Sequence, residues 1–239
     1  MRPVFTYHQA VADSYPTIRA GVINATGLAN GPSPPELIEE YRVEKQAAVR
    51  RLEETPIAEI ASIAAWRRAF TAFGVKPTQH RVAAESLLRR LHKTGDIPNI
   101  STLVDIGNLV SIRYALPVAI FDQATVTGST TVRFAVGNES FTDLGSTDVV
   151  PPEPGEVIFV DDDDIVSARR WCWRQSSQSA TSPDTVHALI TVEGLHETAG
   201  RDVESALADL QSLLNVYQPQ CQTSSQFMSA TNRTAAFGR

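Results

Sequence analysis

Apolar residues recur every three to four positions through much of the first half of the chain and every two through much of the second. The first spacing predicts amphipathic helices and the second predicts half-buried strands. Ser33-Pro34-Pro35-Glu36 reads as an N-cap, a proline in the first turn and an acidic residue facing the positive helix end, so a helix is expected over 33–54. Pro56 breaks it, and 57–73 reads as a second helix with Ile60, Ile63, Ala64 and Trp66 on one side, stopped by Gly74. Residues 80–92 place Val82, Leu87, Leu88 and Leu91 on one face and Arg81, Arg89, Arg90 and Lys93 mostly on the other. The spacing of Leu103, Ile106, Leu109, Val110 and Ile112 predicts a helix over 103–114, ended by Pro117.

Beyond Pro117 the period falls to two. Short β-rich runs at 118–121, 130–135, 157–160, 165–173 and 186–192 are separated by Gly, Pro, Asp and Ser clusters. Residues 1–31 alternate only loosely and suggest one short strand near Ile18 to Ile23 before a glycine-containing loop. A last helix is expected over 201–216, with Val203, Leu207, Leu210 and Leu214 in its stripe. Residues 218–239 are rich in Ser, Thr, Gln and Ala, and a flexible tail is expected there. The fold class is therefore α+β, with a mixed sheet covered by helices. Residues 1–74 read as an N-terminal strand and helical extension packed on the core, and 75–217 as the core domain.

Composition narrows the partners. Lys and Arg total 21 against 27 Asp and Glu, giving a net charge of −6, which is the wrong sign for a protein that coats DNA or RNA. Any RNA contact should be local. The chain lacks a run of roughly 18 apolar residues and a basic-then-apolar start, so no membrane association is expected and the cytoplasm is the expected compartment. Two distant cysteines, Cys172 and Cys221, do not suggest a disulfide framework.

Candidate chemistry is sparse. Asp105 and Asn108 lie three apart on a predicted helix and share a face that could bind a small polar ligand; pairing of Asp105 with a cation is the plainer alternative. Gly107 between them costs roughly 1 kcal/mol in helix propensity and marks a close approach of backbone or ligand. Arg169-Arg170-Trp171-Cys172-Trp173-Arg174, read as a strand, puts Trp171 and Trp173 on one face and Arg170, Cys172 and Arg174 on the other. Such a face could stack an adenine or a side chain and hold a phosphate or carboxylate, or the tryptophans could simply be core. Cys172 would be a nucleophile only with a depressed pKa, which the flanking arginines could supply. The run Asp161 to Asp164 reads as a solvated hairpin turn rather than a calcium loop, and no metal or cofactor motif is present.

Taken in order, Val104-Asp105-Ile106-Gly107-Asn108-Leu109-Val110, Leu116-Pro117-Val118-Ala119-Ile120-Phe121-Asp122, and Val132-Arg133-Phe134-Ala135 followed by Gly137 and Glu139 resemble the B3/B4 editing module of the bacterial phenylalanyl-tRNA synthetase beta subunit. Phe73-Gly74-Val75-Lys76-Pro77, Glu85-Ser86-Leu87-Leu88-Arg89-Arg90 and the Arg169 to Arg174 segment look more like free-standing members of that family. The resemblance implies an α+β domain of B3/B4 type that deacylates mischarged aminoacyl-tRNA, with the tRNA acceptor end or an aminoacyl small molecule as partner. It places Asn108, as the catalytic position, and Gly107 where the family pocket contacts the misattached amino acid. Ala119 falls on the family's pocket histidine, and Thr191, with Glu193 two residues on, falls near its tyrosine-recognising glutamate. A non-catalytic module that binds an amino acid or related metabolite is the competing expectation, and plain RNA binding a third.

Overall fold

A computed structural model describes residues 4–238. The four long predicted helices appear as α2 (Pro35–Glu54), α3 (Ala61–Ala72), α4 (Ala83–Thr94) and α5 (Thr102–Tyr114), and the last as α6 (Ala199–Tyr217). A short helix, α1 (Gln9–Ser14), was not anticipated by the spacing. Ser33 does not cap α2: Pro34 holds the cap position without a side-chain bond, and the Ser33 hydroxyl donates instead to Asp105 at 2.6 Å.

The strands divide between two main sheets rather than one. The first, in the order β12-β1-β4-β7-β8-β9, contains β1 (Val4–Tyr7), β4 (Thr130–Phe134), β7 (Val157–Val160), β8 (Val166–Arg169), β9 (Arg174–Gln175) and β12 (Thr234–Ala236). It is mixed, because β1 runs parallel to β4 while the other neighbours are antiparallel. The second is antiparallel, in the order β11-β2-β10-β3, and contains β2 (Arg19–Thr26), β3 (Val118–Asp122), β10 (His187–Gly194) and β11 (Gln222–Ser229). A separate two-stranded ribbon joins β5 (Phe141–Thr142) to β6 (Val149–Val150).

Helix α6 packs on β2 and β10, and α5 packs on β3. Close approach of α6 depends on Gly21, where an added Cβ would lie 2.9 Å from Leu207 Cδ1 and 3.1 Å from its Cβ. The sheets meet through Phe121 of β3 and Phe159 of β7, whose ring centres are 5.4 Å apart. One buried cluster runs through both sheets and the helices, from Phe5 and Tyr7 to Trp66, Ile106, Trp171 and Leu210.

Two boundary expectations change. Residues 4–26 are built into the sheets, since β1 and β2 are each flanked by strands on both sides. The C-terminal stretch is not a flexible tail: β11 pairs with β2 from Gln222 opposite Thr26 to Ser229 opposite Arg19, and β12 pairs with β1. Ladder hydrogen bonds do not depend on side-chain hydrophobicity, and an outer strand can keep a polar face. Met228, Ala235 and Phe237 supply the buried contacts that this segment needs. Among the described residues no helix is long and apolar enough to cross a membrane.

Candidate functional site

The expected strand over 165–173 breaks after Arg169. Arg170 and Trp171 both take left-handed backbone angles, φ 46° and 57°, so the alternation of faces fails there. Such a conformation costs a non-glycine residue roughly 1–2 kcal/mol and persists only where its surroundings fix it. Here the Trp171 N–H donates to the Val157 carbonyl at 2.6 Å, and the Cys172 carbonyl accepts from the Ala83 N–H at 2.8 Å. The Trp171 indole is fully buried, edge-on to Tyr15 and Trp66 at 4.9 and 5.0 Å.

Its ring N–H donates to Glu193 Oε1 at 2.9 Å. The same carboxyl accepts from the Tyr7 hydroxyl, and its Oε2 accepts from the Cys172 thiol at 3.2 Å. Glu193 is thus a buried acid surrounded by three donors. Burial raises its pKa despite the downward pull of Tyr7, Trp171 and Cys172. Burial, followed by the nearby Glu193 carboxyl, pushes the Cys172 thiol well above its ordinary value, which corrects the expectation that neighbouring arginines could activate it.

Trp173 lies at the other end of the turn and is only partly buried. The guanidinium groups of Arg170 and Arg174 sit 4.6 and 4.8 Å from its ring centre, and His80 meets it edge-on at 4.7 Å. Arg170 also pairs with Glu156 at 3.2 Å and Arg174 with Asp143 at 2.6 Å. Burial, then the charge of Arg170, lowers the His80 pKa.

Between these groups is a hollow of about 70 Å³. Pro117, Val118 and Ala119 form one wall, Phe159 and Ala168 a second, and Trp171, Cys172, Trp173 and Glu193 the remainder, with Ala83, Arg174 and Gln175 at its margin. Gln175 ties the turn to β3 by donating to the Ile120 carbonyl at 2.7 Å. Three roomier surface grooves lie elsewhere, about 320 Å³ beside Arg113, about 370 Å³ beside Arg133 and about 320 Å³ beside Arg68. Arg113 is already paired with Glu44 and Asp209, and Arg133 with Glu139 and Asp164.

The structure therefore brings together Trp171, Cys172, Trp173, Arg174 and Glu193, with Arg170 over the Trp173 ring. It separates them from the α5 candidates. Asp105 is fully buried and accepts from Ser33 Oγ at 2.6 Å, Asn99 Nδ2 at 2.7 Å and the Ile100 N–H at 3.0 Å, so it locks the start of α5 rather than facing a ligand. Gly107 faces β3, where a Cβ would meet Ile120 Cδ1 at 3.1 Å; its role is close helix-to-sheet packing. Asn108 lies beside the Tyr41 hydroxyl of α2 and does not line the hollow. Thr191 is buried in β10 opposite Ala119 and does not line it either. The Asp161 to Asp164 run forms the β7–β8 turn, with Asp161 accepting from the Asp163 and Ile165 N–H groups at 3.0 and 2.9 Å.

Sequence reasoning missed Tyr7, His80 and Phe159 as members of this site. Tyr7 stands 186 positions from Glu193, and no local pattern links them.

Comparison with known proteins adds a family. The B3/4 domain model matches residues 65–214. The crystal structure of an N-terminal fragment of the phenylalanyl-tRNA synthetase beta subunit from Pyrococcus horikoshii is similar, at 11% identity and a TM-score of 0.47 over 92% of this chain and 50% of that one. The chain thus spans about half the length of that fragment. No curated protein matches. Because the B3/4 match extends over more than half of the 239 residues, the chain belongs to the B3/4 domain family.

Proposed function

We propose that the chain receives the aminoacyl end of a charged tRNA at the Trp171–Glu193 hollow and deacylates it as a separate editing hydrolase. The observation that carries this reading is the juxtaposition, around one hollow, of apolar walls with a partly buried Trp173 and an exposed Arg174. An acyl side chain would enter the hollow, while the exposed Arg174, on leaving Asp143 and the Trp173 ring, would free that ring for the base and its own guanidinium for the phosphate of a terminal nucleotide. Membership of the B3/4 family supports the same assignment.

The chemistry would rest on positioning. Glu193 is saturated with donors, the Cys172 thiol is held protonated, and Ala119 offers no titratable group. An aminoacyl ester is already activated, so a water oriented by backbone groups and by the substrate's own ribose hydroxyl would suffice without a strong base. A panel of misacylated tRNAs should show at least one member deacylated about tenfold faster than in buffer. No acceleration for any member would remove hydrolysis from the account.

The same lack of a free base favours a second reading, a module that binds an aminoacyl group without turnover. It predicts ligand-dependent stabilisation, about 2.7 kcal/mol at a ligand concentration of 100 Kd, with the ester left intact.

A further inference from the structure

We propose that the hollow selects a small, uncharged acyl side chain, of roughly two to four heavy atoms, and excludes aromatic ones; this rests on the reading of the hollow as an aminoacyl site. Size is the first argument. A dry protein cavity of about 150 Å³ holds one benzene molecule, so the 70 Å³ present here corresponds to roughly three heavy atoms. By that comparison a phenol ring would enter fully only if a wall receded.

The walls that would have to recede are fixed. Trp171 is wedged between Tyr15 and Trp66 and tied to Glu193. Phe159 is packed against Phe5 and Phe121 at 5.7 and 5.4 Å. Trp173 alone among the aromatic side chains lining the hollow is partly exposed, and it is clamped by Arg170, Arg174 and His80.

Charge is the second argument. The Glu193 carboxyl is buried and occupied by Tyr7, Trp171 and Cys172, which leaves Arg174 as the one further charged group lining the hollow. An ion entering would lose its hydration without compensation. Arg174 is already paired with Asp143 on the outer side. The inner surface offers apolar contact from Val118, Ala119, Phe159 and Ala168.

The test uses the full chain and non-hydrolysable 3′-aminoacylamino-3′-deoxyadenosine analogues carrying alanine, serine, threonine, valine, phenylalanine, tyrosine, lysine or aspartate, titrated by calorimetry. At least one small neutral analogue should bind about tenfold more tightly than the phenylalanine, tyrosine, lysine and aspartate analogues. Aromatic or charged analogues binding within about threefold of the best small one would overturn the size and charge selection while leaving the aminoacyl-site reading intact. No binding by any analogue would overturn both.

Two variants read the same wall from opposite sides. Trp173→Ala, whatever it costs in stacking of the common adenine, should narrow the preference for small over phenylalanine and tyrosine analogues by about tenfold, and Ala119→Leu should lower affinity for the small ones by about as much. Unchanged selectivity in both, with melting curves that show folded protein, would refute the assignment.

Discussion

Replacing Asp105 by alanine separates a structural carboxylate from a ligand-binding one. Its two oxygens accept from Ser33 Oγ, Asn99 Nδ2 and the Ile100 N–H at 2.6, 2.7 and 3.0 Å, joining the start of α2 and the loop before α5 to the first turn of α5. Each hydrogen bond to a charged acceptor contributes roughly 1.5–3 kcal/mol. The full sum will not be lost, because Asn99 and Ile100 are exposed and water can satisfy their donors once the carboxylate is gone. Loss of an acid in a helix first turn adds a further ~0.3–1 kcal/mol. A net destabilisation of about 3 kcal/mol follows, which for a domain of this size lowers Tm by roughly 6–12 °C. Asp105→Asn keeps one acceptor oxygen and should fall between wild type and alanine. Thermal and urea unfolding give the stability, and titration of the best-binding aminoacylamino-adenosine analogue below the lowered Tm gives the affinity. Affinity should be unchanged. A variant that melts within about 1 °C of wild type yet no longer binds the analogue would refute this reasoning and return Asp105 to the ligand site.

Gly107→Ala should stay within about 1 kcal/mol of wild type in urea unfolding: the gain in helix propensity offsets a small displacement of the Ile120 terminal methyl, whereas Gly107→Leu should cost about 1–3 kcal/mol by overpacking. In native protein at pH 8 the partly buried Cys172 thiol should react with Ellman's reagent much more slowly than in denaturant, and a rate matching a free thiol would contradict a pKa raised by its surroundings. Burial alone would raise the Glu139 carboxyl, but the Val136 and Gly137 N–H groups and the Arg133 guanidinium hold it at about 2. A depressed folded-state pKa contributes stability above the unfolded value of about 4.3 and loses it as pH falls towards 2. The stability difference between wild type and Glu139→Gln should therefore be constant above about pH 5 and shrink below it; a pH-independent difference would exclude this linkage.

The helices were legible because their buried faces are built from side chains spaced along one segment, as in Leu103, Ile106, Leu109 and Val110. The C-terminal strands were not. Gln222 to Ser229 is polar on most positions and owes its order to the eight-residue backbone ladder with β2, which no composition reveals. The site was half legible. Arg170 to Arg174 stood out by residue type, and Glu193 through the family resemblance, but two consecutive left-handed residues without glycine gave no warning of the turn that aims Trp171 inward. Asp105 and Asn108 share a helix face by spacing, yet tertiary partners settle their use: Ser33 and Asn99 take the carboxylate, and Tyr41 lies beside the amide. Gly107 correctly signalled a close approach, which proved to be that of β3 rather than a ligand.

The central claim is that ligand enters the hollow between the Arg170–Trp173 turn and Glu193. Residue-resolved NMR during titration with a 3′-aminoacylamino-3′-deoxyadenosine analogue tests it most directly, because the indole N–H signals of Trp171 and Trp173 report from its two ends. The account predicts saturable shifts at both indoles and at the Cys172 and Ala119 amides, with the Asn108 and Tyr41 amides undisturbed. Shifts centred on Asn108 and Tyr41, with both hollow indoles unmoved at saturation, would contradict it.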